Sequence, residues 1–138
     1  MTEDEWRAFL SSPARPAVLS TVRADGRPHA APIWFDSDGE QLVFTTGATT
    51  VKGRNIGRDP RVALCVQDDR PPFSFVAIEG RAALSDDLDQ VRAWAARIGG
   101  RYMGAARAEE FGARNGVPGE LLVTVVVTRV TAARDVAD

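Results

Sequence analysis

The stretch Ala17-Val18-Leu19-Ser20-Thr21-Val22-Arg23-Ala24-Asp25-Gly26-Arg27-Pro28-His29-Ala30-Ala31-Pro32-Ile33-Trp34-Phe35 decides the fold. Two runs of strand-forming residues, 17–23 and 28–35, flank Ala24-Asp25-Gly26, and an Asp-Gly pair between such runs is a strong hairpin signal. Downstream, Asp36-Ser37-Asp38-Gly39 reads as another turn, leading into a strand over Gln41–Thr46, so these three strands are expected to form a meander. Further strands are predicted at Arg61–Gln67, at Phe73–Leu84 with a bulge at Gly80, and at Leu121–Val130, a tract rich in valine and threonine.

Helices occupy the intervals. Thr2 followed by Glu5 makes a capping box ahead of Trp6, Phe9 and Leu10, predicting a short helix that ends before Pro13. Val51–Asp59 reads as a second helix, stopped by Pro60. Ser85-Asp86-Asp87 caps a third, whose apolar residues Leu88, Val91, Trp94, Ala95 and Ile98 keep helical spacing; Gly99-Gly100 is expected to break it, with another short helical piece over Tyr102–Phe111. Six strands joined mostly by hairpins predict a mainly β, antiparallel barrel with peripheral helices, in one domain over 1–138. Without a βαβ alternation or a GxGxxG run, a Rossmann sheet is not expected.

Composition narrows the function. A net charge of -2 supplies no field for nucleic acid or an anionic membrane, and no apolar run approaches the ~20 residues of a bilayer span. The acidic, polar amino terminus is unlike a secretory leader, so a cytoplasmic location is expected. The single cysteine, Cys65, excludes an internal disulfide; within Val62-Ala63-Leu64-Cys65-Val66 it reads as a small buried core residue.

Against 16 arginines there is one lysine, Lys52, in Thr45-Thr46-Gly47-Ala48-Thr49-Thr50-Val51-Lys52-Gly53-Arg54-Asn55. Where arginine has replaced lysine nearly everywhere, a surviving ammonium suggests a need for a compact point charge. Hydroxyls, glycines and a helix N-terminus surround it, and all favour an anion such as phosphate. From composition alone, a chance survivor on a solvated helix remains an equal reading.

Catalytic side chains are scarce. The lone His29 sits among alanines without triad or metal-site companions, and Gly99-Gly100-Arg101-Tyr102-Met103-Gly104 lacks the Lys-Ser or Lys-Thr pair of a phosphate loop, so it reads as a plain loop. A protein this poor in reactive groups can still be an enzyme if a bound cofactor does the chemistry and the fold supplies position and electrostatics. Pro32-Ile33-Trp34-Phe35 and Thr45-Thr46 end successive strands and could wall one pocket, while Phe73 and Phe75, two apart on a strand, would share a face and could cover a ring.

The ordered set Ala24-Asp25-Gly26-Arg27-Pro28, Pro32-Ile33-Trp34-Phe35, Leu42-Val43-Phe44-Thr45-Thr46-Gly47, Lys52-Gly53-Arg54-Asn55, Asp59-Pro60-Arg61-Val62 and Phe75–Ala82 resembles the flavin and deazaflavin oxidoreductase superfamily typified by pyridoxamine 5'-phosphate oxidase. Within it the chain most resembles the small class that uses the 8-hydroxy-5-deazaflavin coenzyme F-420, with FMN as the alternative cofactor. The resemblance implies a six-stranded split β-barrel homodimer with cofactor sites at the interface. It implies that Lys52 and Asn55, with Thr50 and Arg54, hold the cofactor phosphate. Thr45, Thr46 and Gly47 would border the ribityl chain, Pro32, Ile33 and Trp34 the ring, and Phe73 and Phe75 would reach in from the partner subunit. Arg58 and Arg61 would meet the coenzyme's anionic tail. The implied activity is hydride transfer to a small, planar unsaturated acceptor, with Tyr102 a candidate proton donor; a flavin-binding protein without turnover is the competing reading. The Arg-x-His substrate motif of the vitamin B6 oxidases is replaced by Arg129-Val130-Thr131, so that activity is not implied.

Overall fold

The computed structural model describes residues 1–138. Its elements run α1 (Glu3–Ser11), β1 (Ala17–Val22), β2 (Pro28–Ile33), β3 (Asp36–Asp38), β4 (Gln41–Gly47), α2 (Val51–Arg58), β5 (Arg61–Asp68), β6 (Ser74–Ser85), α3 (Leu88–Met103), a short 3-10 turn (Ala105–Arg107), α4 (Ala108–Asn115) and β7 (Glu120–Ala133). The capping box forms as expected, with the Thr2 hydroxyl accepting from the Glu5 amide and the Glu5 carboxylate accepting from the Thr2 amide. No helix is long and apolar enough to cross a membrane.

All strands join one antiparallel sheet of seven, in the order β2-β1-β5-β6-β7-β4-β3. This corrects the six-stranded barrel in two ways. Asp36-Ser37-Asp38, read as a turn, forms the extra edge strand β3. The meander is also broken: after β2 the chain leaves its neighbours, and β4 pairs with β7 and β3 at the far end of the sheet. The two edge strands, β2 and β3, lie at opposite ends of the hydrogen-bonded order, yet only Trp34 and Phe35 separate them in sequence. Two residues span about 10 Å at most, so the sheet has to curl round on itself with a split at this point.

Pleat parity builds the core. Leu19 pairs with Leu64 and Leu64 with Ile78, while Leu42 pairs with Val125 and Phe44 with Val123, all buried on the inner face. Trp6 and Leu10 of α1 and Ile56 of α2 join this cluster. Val43, between Leu42 and Phe44, faces the other way and is buried beneath Val91 and Trp94 of α3. Strand β4 is therefore covered on both faces, which is why it reads as an unbroken apolar run.

The expected bulge occurs where Gly80 marks it. Glu79 pairs with Arg129 and Gly80 with Val127, leaving Thr128 as the extra residue, and its hydroxyl donates to the Glu79 carbonyl at 3.1 Å. A Cβ at Gly80 would press within 2.6 Å of both Val125 and the Val126 carbonyl. Two further expectations are corrected. Helix α3 runs straight through Gly99-Gly100 to Met103 because those glycines meet Phe111 and Ala108 of the returning helix, where larger residues would not fit. Cys65 is exposed, because β5 turns Val62, Leu64 and Val66 inward and so leaves the intervening residue on the outer face.

Candidate functional site

The junction of β4 and α2 is built by close approach. Thr50 is the N-cap of α2: its hydroxyl accepts from the Gly53 amide at 3.1 Å and donates to the Gly47 carbonyl at 2.8 Å. A Cβ at Gly53 would overlap that same carbonyl, so the helix seats against the strand end only with glycine there. The first main-chain bond of the helix runs from Arg54 to Thr50, which leaves the Val51 and Lys52 amides without intrahelical acceptors. No acidic residue lies in this first turn.

Lys52 lines a cleft of about 190 Å3. One wall is Pro32, Ile33 and Trp34 from the end of β2; the other is Ala95, Ile98 and Gly99 of α3 with Phe111 of α4. Its polar side chains are Thr45, Lys52 and Asn115, and none of the three makes a hydrogen bond or ion pair within the chain. The aromatic wall is fixed: Trp34 stacks on Tyr102 with ring centres 5.0 Å apart and planes 4° from parallel, and meets Phe111 edge-on at 5.8 Å. Chemically this is an apolar slot with one unpaired ammonium and the positive end of a helix at its mouth.

Five of the expected residues, Pro32, Ile33, Trp34, Thr45 and Lys52, come together here. Arg54 is exposed beside them and unpaired. Others hold the scaffold instead. The Thr46 and Thr50 hydroxyls lie 3.1 Å apart and bond to each other. Asn55 is buried, donating to the Thr21 hydroxyl at 3.0 Å and accepting from Arg58 at 2.8 Å, so its amide faces β1 and not the cleft. Arg58 also donates to the Val22 carbonyl. Arg61 forks onto Asp59, and hydrogen bonds from its guanidinium and then its amide hold the Asp59 carboxyl down at about 2. Both arginines are thereby engaged outside the cleft.

Phe73 and Phe75 lie outside the cleft of their own chain. Phe73 precedes β6 with φ of 65°, which removes the shared-face alternation expected of the pair; its backbone is held by the Arg70 carbonyl and the Val136 amide. Tyr102 is not free to give a proton, since its hydroxyl donates to the Arg15 carbonyl at 2.8 Å and accepts from the Phe35 amide. Sequence reasoning placed 101–118 near an acceptor pocket but assigned none of Ala95, Ile98, Gly99, Phe111 or Asn115 to the cofactor site. The helical spacing of Ala95 and Ile98 was visible, but nothing in it indicated that this face would close over β4.

The family model for pyridoxamine 5'-phosphate oxidase matches residues 2–134. The chain belongs to that family. It is 30% identical over 135 residues to the F420H(2)-dependent biliverdin reductase of Mycobacterium tuberculosis, covering 98% of this chain and 90% of the relative. Of solved structures, a conserved hypothetical protein from Mycobacterium tuberculosis, Rv2991, superposes with a TM-score of 0.86 at 24% identity, over 98% of this chain and 86% of the other. An F420 reductase superposes with a TM-score of 0.72 at 28% identity, over 91% and 94%. The pyridoxamine 5'-phosphate oxidase fold thus extends across nearly the whole chain.

Proposed function

We propose that this chain is an oxidoreductase that binds the deazaflavin coenzyme F-420 and moves a hydride between it and a small, planar unsaturated acceptor. The observation that carries this reading is the unpaired Lys52 ammonium in an aromatic-walled cleft at the start of α2. The donor set fits a phosphorylated ring cofactor: a lone cation, two free helix amides and a hydroxyl for the anion, and a fixed tryptophan for the ring. When bound, the coenzyme supplies the hydride-carrying centre. The chain's own groups bind and orient it: Lys52 neutralises the phosphate, Pro32, Ile33 and Trp34 set the ring plane, and Ile98 and Phe111 exclude water. Because the Tyr102 hydroxyl is committed to Arg15, the proton comes from solvent. The names of the biliverdin reductase and the F420 reductase favour the deazaflavin; the family description favours FMN as the second reading.

A homodimer belongs to the proposal. The cleft, about 190 Å3, is below the ~300–1,000 Å3 usual for a site that encloses a small molecule. Pro32 also borders an open depression of about 470 Å3 with Val18 and Cys65, where a second copy would complete the enclosure and bring in Phe73 and Phe75 of the partner subunit. The test is to titrate purified protein with F-420 and FMN, following fluorescence, and then to offer the reduced complex a panel of acceptors. Tighter binding of F-420 with acceptor-dependent oxidation is expected. FMN affinity without deazaflavin affinity would overturn the cofactor assignment, and tight binding without turnover would leave only a carrier.

A further inference from the structure

We infer that Asn115 is an anion-binding residue which, with Lys52 and Thr45, surrounds the cofactor phosphate, so that the α3–α4 hairpin forms part of the binding site. The inference rests on the proposed cofactor reading and goes beyond it by naming a polar ligand on a hairpin to which that reading assigned only apolar cover.

Apart from Arg54, which is exposed, unpaired and outside the lining, the polar groups around the cleft divide into two sets. Thr46, Thr50, Asn55, Arg58 and Arg61 all have intrachain partners, and none of them lines the cleft. Thr45, Lys52 and Asn115 line it, and none has a partner. Polar side chains left unmatched in an otherwise apolar slot mark the points at which a ligand is held. The ligand's charge follows from the donors: Lys52 is the one ionised group among the lining residues, and the α2 amides add positive potential. A carboxamide opposite them offers two N–H donors to an anion without adding charge.

Asn115 has no other evident duty. Asparagine at a helix end commonly supplies the left-handed residue that closes it, but Asn115 is the last residue of α4 proper and is followed by Gly116 with φ of -85°. Its position is fixed by packing. A Cβ at Gly116 would meet Arg92 and the Gly112 carbonyl, Gly112 rests on Ala96, and Phe111, one turn earlier, enters the same cleft. The hairpin therefore presents Phe111 and Asn115 together, one apolar and one polar, opposite the start of α2.

The test compares wild type with Asn115→Ala, Asn115→Asp and Lys52→Ala, measuring equilibrium binding of F-420, FMN, riboflavin and inorganic phosphate, with thermal midpoints alongside. Loss of one charge-assisted hydrogen bond is expected to weaken the phosphorylated ligands and phosphate about tenfold in Asn115→Ala. A carboxylate facing the anion should weaken them about a hundredfold in Asn115→Asp. Riboflavin, which lacks the phosphate, should bind equally to all, and the midpoints should not move. Unchanged binding in both Asn115 variants, with loss in Lys52→Ala, overturns the inference and leaves the cofactor reading intact. Equal loss of riboflavin overturns it too, by placing Asn115 against the ring. Phosphate binding that depends on Asn115, with no affinity for any flavin, upholds the anion site and ends the cofactor reading; no binding by the wild type of any probe ends both.

Discussion

Asn55 shows how a residue beside a binding cleft can be tied up in holding the cleft open. Its buried amide joins Thr21 on β1 to Arg58 at the end of α2, and so fixes the helix that carries Lys52. Asn55→Ala leaves the buried Thr21 hydroxyl unpaired, and a loss of about 1–3 kcal/mol in stability by denaturant unfolding is expected. Asp59 gives a pH prediction. Its folded pKa, about 2, lies below the usual carboxylate value, so the stabilisation from its Arg61 fork is complete above the ordinary carboxylate range and is lost as pH falls through about 2. Comparing wild type with Asp59→Asn, the difference in thermal midpoint should shrink steadily from pH 4 to pH 2; a difference that stays constant over that range refutes the pairing. At this scale the sequence was legible where the cause was local. Thr2, Gly80 and Asp87 do what their neighbours dictate. Asn55 was not, because its partner lies 34 residues away. Cys65 failed for another reason: in Val-Ala-Leu-Cys-Val every side chain is small or apolar, so nothing in the string reveals which parity faces inward.

Elements are held to one another by a few specific devices. The carbonyls of Leu10 and Ser11 at the end of α1 accept from Arg101 of α3 at 2.7 and 2.8 Å, a cap supplied from another helix. The guanidinium is largely buried and also lies near Asp36 and over the ring of Phe35. Arg101→Met should destabilise the protein by about 1–3 kcal/mol, with amide exchange accelerating first in α1. Global acceleration without preference for α1 would show that the clamp is not local. In the α3–α4 hairpin, Gly99 touches the Phe111 side chain so closely that Gly99→Val should force the helices apart. That variant is expected to lose cofactor affinity along with stability, read by titration and melting together. These two glycines, Gly99 and Gly100, misled a reading from sequence because glycine both breaks helices and lets them touch, and only the partner decides which.

At the scale of the whole molecule, six of the seven strands, the antiparallel pairing and the helical caps were readable, whereas the short edge strand β3 and the crossover of β4 to the far end of the sheet were not. Short-range turn chemistry predicts the nearest pairing, but here β4 and β7 set Leu42 against Val125 and Phe44 against Val123 in the core, whereas Ile33 is the one buried residue of β2. Burying β4 from both sides offsets the cost of that long closure. The curl this imposes brings the β2 end, the α2 start and the α3–α4 hairpin into one place, so the cleft is a product of topology more than of any motif. Dimerisation is tested at this scale: light scattering is expected to give twice the mass of one chain, and Val18→Glu on the exposed outer face should yield monomers with weakened cofactor binding. A stable monomer that keeps full affinity contradicts the shared site.

Lys52 carries the chain's sole ε-amine, and it opens into the cleft. Amine-directed acylation can therefore reach only this side chain and the amino terminus, and intact-mass spectrometry would count the adducts one by one. Shielding of the internal adduct by a ligand would turn an ordinary labelling reaction into a footprint of occupancy, usable in crude mixtures where neither colour nor turnover can be followed.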